Sequence, residues 1–77
     1  MIIGLDKAMK SFGFYMHGIT EIEGMETELK TFFHQDRKYS YFREGIYAGH
    51  YVDGSPIAEE EFDSAFSIEQ NKYYDSL

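Results

Sequence analysis

Three histidines stand at positions 17, 34 and 50, about sixteen residues apart, in a chain of 77 residues without cysteine. Zinc sites legible in sequence use His or Cys pairs a few residues apart, as in HExxH on a helix. At the spacing found here a metal would need three separate elements to converge. The expectation is instead that His50 packs within a strand and His34 lies exposed at a helix end. Carboxylates are plentiful, but Glu59, Glu60 and Glu61 are consecutive, so they radiate around a helix instead of flanking a bond. Asp53, Gly54 and Ser55 begin like a calcium loop, yet the later ligands are out of register, and the segment reads as a turn. There is no GxxxxGK[ST], GxGxxG or GxSxG motif to cradle phosphate or present a nucleophile. These patterns point to a nonenzymatic chain, with no cofactor and no metal expected.

The chemistry that remains is recognition. Arg37, Lys38 and Arg43 interleave with Tyr39, Tyr41 and Phe42, a combination that single-stranded nucleic acid exploits through stacking and phosphate contacts. Its aromatics split between the two faces of a strand, and its cations have glutamates nearby to pair with. The overall balance opposes that use: fourteen Asp and Glu face seven Lys and Arg, a net charge of −7. Affinity for DNA rests largely on cations that displace counterions, so direct DNA binding is not expected. Residues 44–77 hold eight acids against Lys72 alone. Such a field attracts a basic protein surface and speeds encounter with it, although the same acids also serve solubility. Seven Phe and seven Tyr accompany them. Phe fills cores, whereas Tyr carries a hydroxyl that favours boundaries and contact surfaces. The expected partner-binding set is therefore Glu59, Glu60, Glu61 and Asp63 for attraction, with Tyr47 and Tyr51 as anchors. A second reading is a homo-oligomer in which the aromatic strand pairs edge to edge with a copy of itself.

The elements that would position these residues follow from periodicity. Leu5, Met9, Phe12 and Met16 recur at intervals of four, three and four, the stripe of a helix with Asp6 as N-cap and Gly18 as stop. Gly13 leaves open a shorter helix followed by a strand over residues 14–17. Thr20 and Glu23 fit a capping box, and Ile22, Met25, Leu29 and Phe32 share one helical face, so a second helix is expected over residues 20–33. Gly24 is its weak point, and a strand over residues 27–33 is the rival. Alternation then takes over in residues 38–43 and 46–52, joined by a tight turn at Glu44 and Gly45 into a hairpin. Asp53 and Gly54 make another turn, and Pro56 confines residues 55–57 to an edge strand or the lead into a helix. A helix over residues 58–66 would bury Phe62, Ala65 and Phe66, with a last short helix from Ser67 to Tyr73. The order α-α-β-β-α predicts one α+β domain over residues 1–77, with two or three helices packed on one face of a small antiparallel sheet.

Residues 51–62, a strand ending in Tyr51 and Val52, an Asp53–Gly54 turn, then Ile57 and the acidic run to Phe62, resemble a segment of many small phage and prophage proteins. The whole chain, acidic, rich in Tyr and free of cysteine, also resembles phage-encoded inhibitors of host nucleic-acid enzymes such as anti-CRISPR proteins. That resemblance implies an inhibitory binding role, with a DNA-like acidic surface set against a basic groove. The lack of cysteine fits a reducing compartment. The apolar start stops at Asp6, well short of the roughly 18 residues a membrane span needs. A cytoplasmic chain without membrane contact is expected, in the host cytoplasm if phage-encoded.

Overall fold

A computed structural model describes residues 6–77, with side chains from Ala8 onward. Six strands follow one another along the chain: β1 (Asp6–Phe12), β2 (Tyr15–Ile22), β3 (Met25–His34), β4 (Arg37–Phe42), β5 (Gly49–Val52) and β6 (Ser55–Ile57). Each pairs antiparallel with the next, giving one meander in the order β1-β2-β3-β4-β5-β6. Among the described residues a single helix, α1 (Glu59–Asp75), follows the sheet.

The α-α-β-β-α expectation is thus overturned. The described residues remain a mixture of sheet and helix, but strands stand where the two N-terminal helices were expected, and among these residues only one helix packs on the sheet. Leu5, which anchored the first helical stripe, lies outside the described residues. Two local features outweigh the helical spacing. First, Ile19, Thr20, Ile22, Thr27 and Thr31 are β-branched and suit the pleated surface. Second, the glycines that weakened the helical reading sit in tight turns. Glu23 and Gly24 adopt φ of 49° and 82°, the pattern of a two-residue type I′ hairpin turn, so the apparent capping box ends a strand instead of starting a helix. Gly13, at φ 75°, likewise takes the first central position of the β1–β2 turn.

The β4–β5 pairing agrees with the expected hairpin, but its connection is wider than the tight turn at Glu44 and Gly45. Residues 43–48 form a loop, closed where the Ala48 amide donates to the Gly45 carbonyl at 3.1 Å. Pro56 lies on the edge strand β6, and the two short helices expected at the C-terminus merge into α1.

Side-chain alternation separates two clusters. Phe32, Tyr39, Phe62 and Ala65 form the main core between the sheet and α1. Phe32 stacks on Tyr39 with centroids 5.0 Å apart and meets Phe62 and Phe66 edge-on at 5.1 and 5.3 Å. Ile22, Leu29 and Phe42, with Met9 and Tyr51 against them, form a smaller cluster on the other face. Helix α1 crosses the strands. Phe62 sits over Tyr41 and His50, Phe66 over Tyr15 and Phe32, and Tyr73 reaches Phe14 at the β1–β2 turn. His34 contradicts the expectation of exposure: it is buried at the end of β3 and its Nδ1 lies 2.6 Å from Glu69 Oε2 on α1.

Candidate functional site

The meander gives the molecule two ends. The β2–β3 turn and the β4–β5 loop lie at one; the β1–β2, β3–β4 and β5–β6 turns lie at the other. Glu23, Glu26 and Glu44 are gathered at the first end from two separate stretches of sequence. Ile57 pairs with His50, which pairs with Tyr41 and so lies level with Lys30 in the middle of β3, and Glu59, Glu60 and Glu61 therefore start α1 beside the edge strand β6. Arg37 and Lys38 lie at the other end, beside the β3–β4 turn, where the Lys38 amide donates to Asp53 Oδ1 at 3.0 Å.

Between the β2–β3 turn and the β4–β5 loop lies a depression of about 170 Å³, lined by Ile22, Met25, Thr27, Ile46 and Tyr47 with Glu23, Glu26 and Glu44 around them. Its apolar side chains are unusually open: Met25 is 60% and Ile46 73% exposed. Both ends of the loop are fastened. The Glu44 amide donates to Thr27 Oγ1 at 3.0 Å, and the Tyr51 hydroxyl donates to the Tyr47 carbonyl at 2.9 Å.

The residues singled out from sequence divide. Tyr47 and Tyr51 are joined by that hydrogen bond, with Tyr47 open to solvent and Tyr51 half-buried against the Ile22–Leu29–Phe42 cluster. Glu59, Glu60 and Glu61 occupy the first turn of α1, where negative charge also complements the helix dipole. They and Asp63 are exposed. Tyr51 points to the face opposite α1, so it does not stand beside the helix acids as an anchor. Missed from sequence were Glu23, Glu26, Met25 and Ile46, because only the strand register brings residues 23–26 next to residues 44–47.

No protein-family model, curated protein or solved structure matches the chain.

The basic-aromatic run is taken apart by the fold. Tyr39 is buried under α1, Phe42 is buried on the other face, and Arg37 and Lys38 project at the far end. Strand β4 is also paired on both sides, with β3 and β5, so it offers no edge to a second copy. Arg43 is held by Glu28, whose other carboxylate oxygen lies 3.3 Å from His17 Nε2. The Arg43 hydrogen bond holds the Glu28 carboxyl below its ordinary value, and Glu28 in turn raises Arg43. The three histidines stay apart, on Glu28, Glu69 and the Tyr41 ring respectively, and no group of three metal-ligating side chains occurs among the described residues. Among them, too, no helix is long and apolar enough to cross a membrane.

Proposed function

We propose that the chain is a nonenzymatic binding module that engages a positively charged protein surface through its acidic end. The observation that carries this reading is the exposed trio Met25, Ile46 and Tyr47, ringed by Glu23, Glu26 and Glu44. Interfaces combine an apolar, often aromatic centre with a charged rim, and the rim sets partner choice and encounter rate. A complementary partner presents an apolar side chain flanked by Lys or Arg. The helix acids Glu59, Glu60, Glu61 and Asp63 extend the negative field beyond that rim. Arg37 and Lys38 lie at the opposite end of the sheet, and Arg43, paired with Glu28, offsets only part of the charge of its neighbour Glu44. A basic groove that normally holds nucleic acid has the matching charge, which would make the module an inhibitor of the phage-encoded kind.

The test is capture of a partner from nuclease-treated native lysate on the immobilised chain, followed by affinity measurement with the purified partner over a salt series. A double variant Glu23→Lys and Glu44→Lys is expected to weaken binding roughly tenfold or more and to flatten the salt dependence. The triple variant Glu59→Lys, Glu60→Lys and Glu61→Lys should slow association more than it speeds dissociation. Unchanged affinity and salt dependence in both variants would overturn the reading.

A further inference from the structure

Helix α1 covers only part of its sheet face. The uncovered part carries a cleft of about 310 Å³, lined by Tyr15 and His17 from β2, Glu28, Leu29 and Lys30 from β3, and Tyr41 and Arg43 at β4. The register sets His17, Lys30 and Tyr41 in one row across three adjacent strands, with Glu28 and Arg43 in the next. Three cationic or protonatable groups thus converge on one pocket of an otherwise acidic molecule.

Lys30 is the telling residue. It is half-buried in the middle of the longest strand, and its Nζ lies 4.5 Å from the Phe66 ring centroid and 5.5 Å from that of Tyr15. Among the described residues it forms no ion pair. Its ammonium lies against two ring faces at the lining of the cleft, without a carboxylate partner there. Glu28 is already engaged by Arg43 and His17, which fixes both of these at the rim of the cleft. Arg43 uses one guanidinium nitrogen on Glu28, leaving further N–H donors for a ligand.

We propose that this cleft binds a nucleotide, its phosphate between Lys30 and Arg43 and its base against Tyr41. The size agrees, since small-ligand pockets begin near 300 Å³. Lys and Arg are the usual phosphate donors, and His50 stacks on one side of the Tyr41 ring at 4.6 Å, which leaves the opposite side as the surface for a base. The net charge of −7 disfavours a strand with several phosphates, so a free mononucleotide is better accommodated.

Isotope-labelled protein titrated with AMP, adenosine, inorganic phosphate and a five-nucleotide thymidylate strand, followed by amide chemical shifts, tests this. AMP is expected to give saturable shifts at Lys30, Tyr41 and Arg43 at up to millimolar concentration, while adenosine and phosphate each bind more weakly. Lys30→Met, which keeps length and apolar stem, should weaken AMP about tenfold, the worth of one charge-assisted hydrogen bond. Arg43→Gln, at an exposed position that the core does not use, should do the same. Tighter binding of the thymidylate strand, still lost in Lys30→Met, would keep the nucleotide chemistry and move its source to a strand. No saturable shift with AMP or the strand, adenosine or phosphate binding as tightly as AMP, or affinity unchanged in both variants would overturn the proposal.

Discussion

The contact between His34 and Glu69 offers the sharpest energetic test of how α1 is fixed to the sheet. It joins residues 35 apart in sequence, and the two side chains are only 9% and 17% exposed. Replacing His34 by Ala leaves the Glu69 carboxylate in a mostly enclosed position with Lys72, 3.3 Å away and itself well exposed, as its remaining partner. A hydrogen bond to a charged group is worth about 1.5–3 kcal/mol, so a loss of about 2 kcal/mol is expected. A chain of this size is stable by about 4–12 kcal/mol, which makes that loss visible. With a urea m-value near the low end, about 1 kcal/mol/M, the midpoint should fall by about 2 M. Because the protein has no tryptophan, far-ultraviolet circular dichroism and tyrosine emission are the signals to follow. The sign of the acid dependence is also fixed. The His34 hydrogen bond, helped by Lys72 and opposed by burial, holds the Glu69 carboxyl below its ordinary 4.5. A carboxyl depressed in the folded state adds stability that is complete above the unfolded value and is lost as pH falls through the folded one. The stability gap between the natural protein and Glu69→Gln should therefore close as pH drops below 4.5. The reasoning fails if a double-mutant cycle of His34→Ala and Glu69→Ala yields a coupling under about 0.5 kcal/mol, or if that gap is the same on both sides of this window.

Thr31 buries its hydroxyl without a hydrogen-bond partner, so Thr31→Val, which replaces the hydroxyl by a methyl on the same branched frame, should raise stability by about 1 kcal/mol in urea. Phe32→Ala removes a 1% exposed ring that touches Tyr39, Phe62 and Phe66 and should cost about 3–5 kcal/mol. The neighbouring Phe33→Ala, at a ring 57% exposed on the other face, should stay within about 0.5 kcal/mol; similar melting of the two variants would contradict the assigned facing of β3.

Legibility in the sequence divides at about residue 36. Beyond it, period-two alternation, the Asp53–Gly54 turn and the apolar positions Phe62, Ala65 and Phe66 identify β4, β5 and the inward face of α1, while Pro56 leaves residues 55–57 open between an edge strand and the lead into a helix. Before it, Met9, Phe12 and Met16 match helical spacing by coincidence, and Thr20 with Glu23 mimics a helix start. The decisive contrary signals were local: Gly13 in the β1–β2 turn, β-branching from Ile19 onward, and a Glu23–Gly24 pair suited to a two-residue turn. The β3–β4 turn carried no such signal, since Gln35 and Asp36 take φ of 53° and 62° without a glycine, held there by the pairing on either side. The burial of His34 and the meeting of Glu23 with Glu44 depend on partners distant in the chain. No window of residues contains either, and only the register of the sheet produces them.

That register also accounts for the open strip on the helix side. Six strands at about 4.8 Å spacing make a sheet some 24 Å across, and a 17-residue helix at about 1.5 Å per residue is about 26 Å long. One passage of α1 from β6 to the β1–β2 turn therefore uses the whole helix. Its width, about 10 Å, covers roughly a third of a ten-residue strand about 33 Å long. Side chains at the level of Glu28 are consequently left without a lid, with Lys30 at the edge of the helix against Phe66, and a polar strip there is what an uncovered sheet face requires. Solvation alone accounts for His17, Glu28 and Arg43, which are mutually paired and partly open. It leaves Lys30, whose ammonium lies over the rings of Tyr15 and Phe66 and has no carboxylate partner among the described residues. Packing of a long stem against aromatic rings is enough to hold a lysine there with its head open to water, and the AMP titration separates that from an anion site.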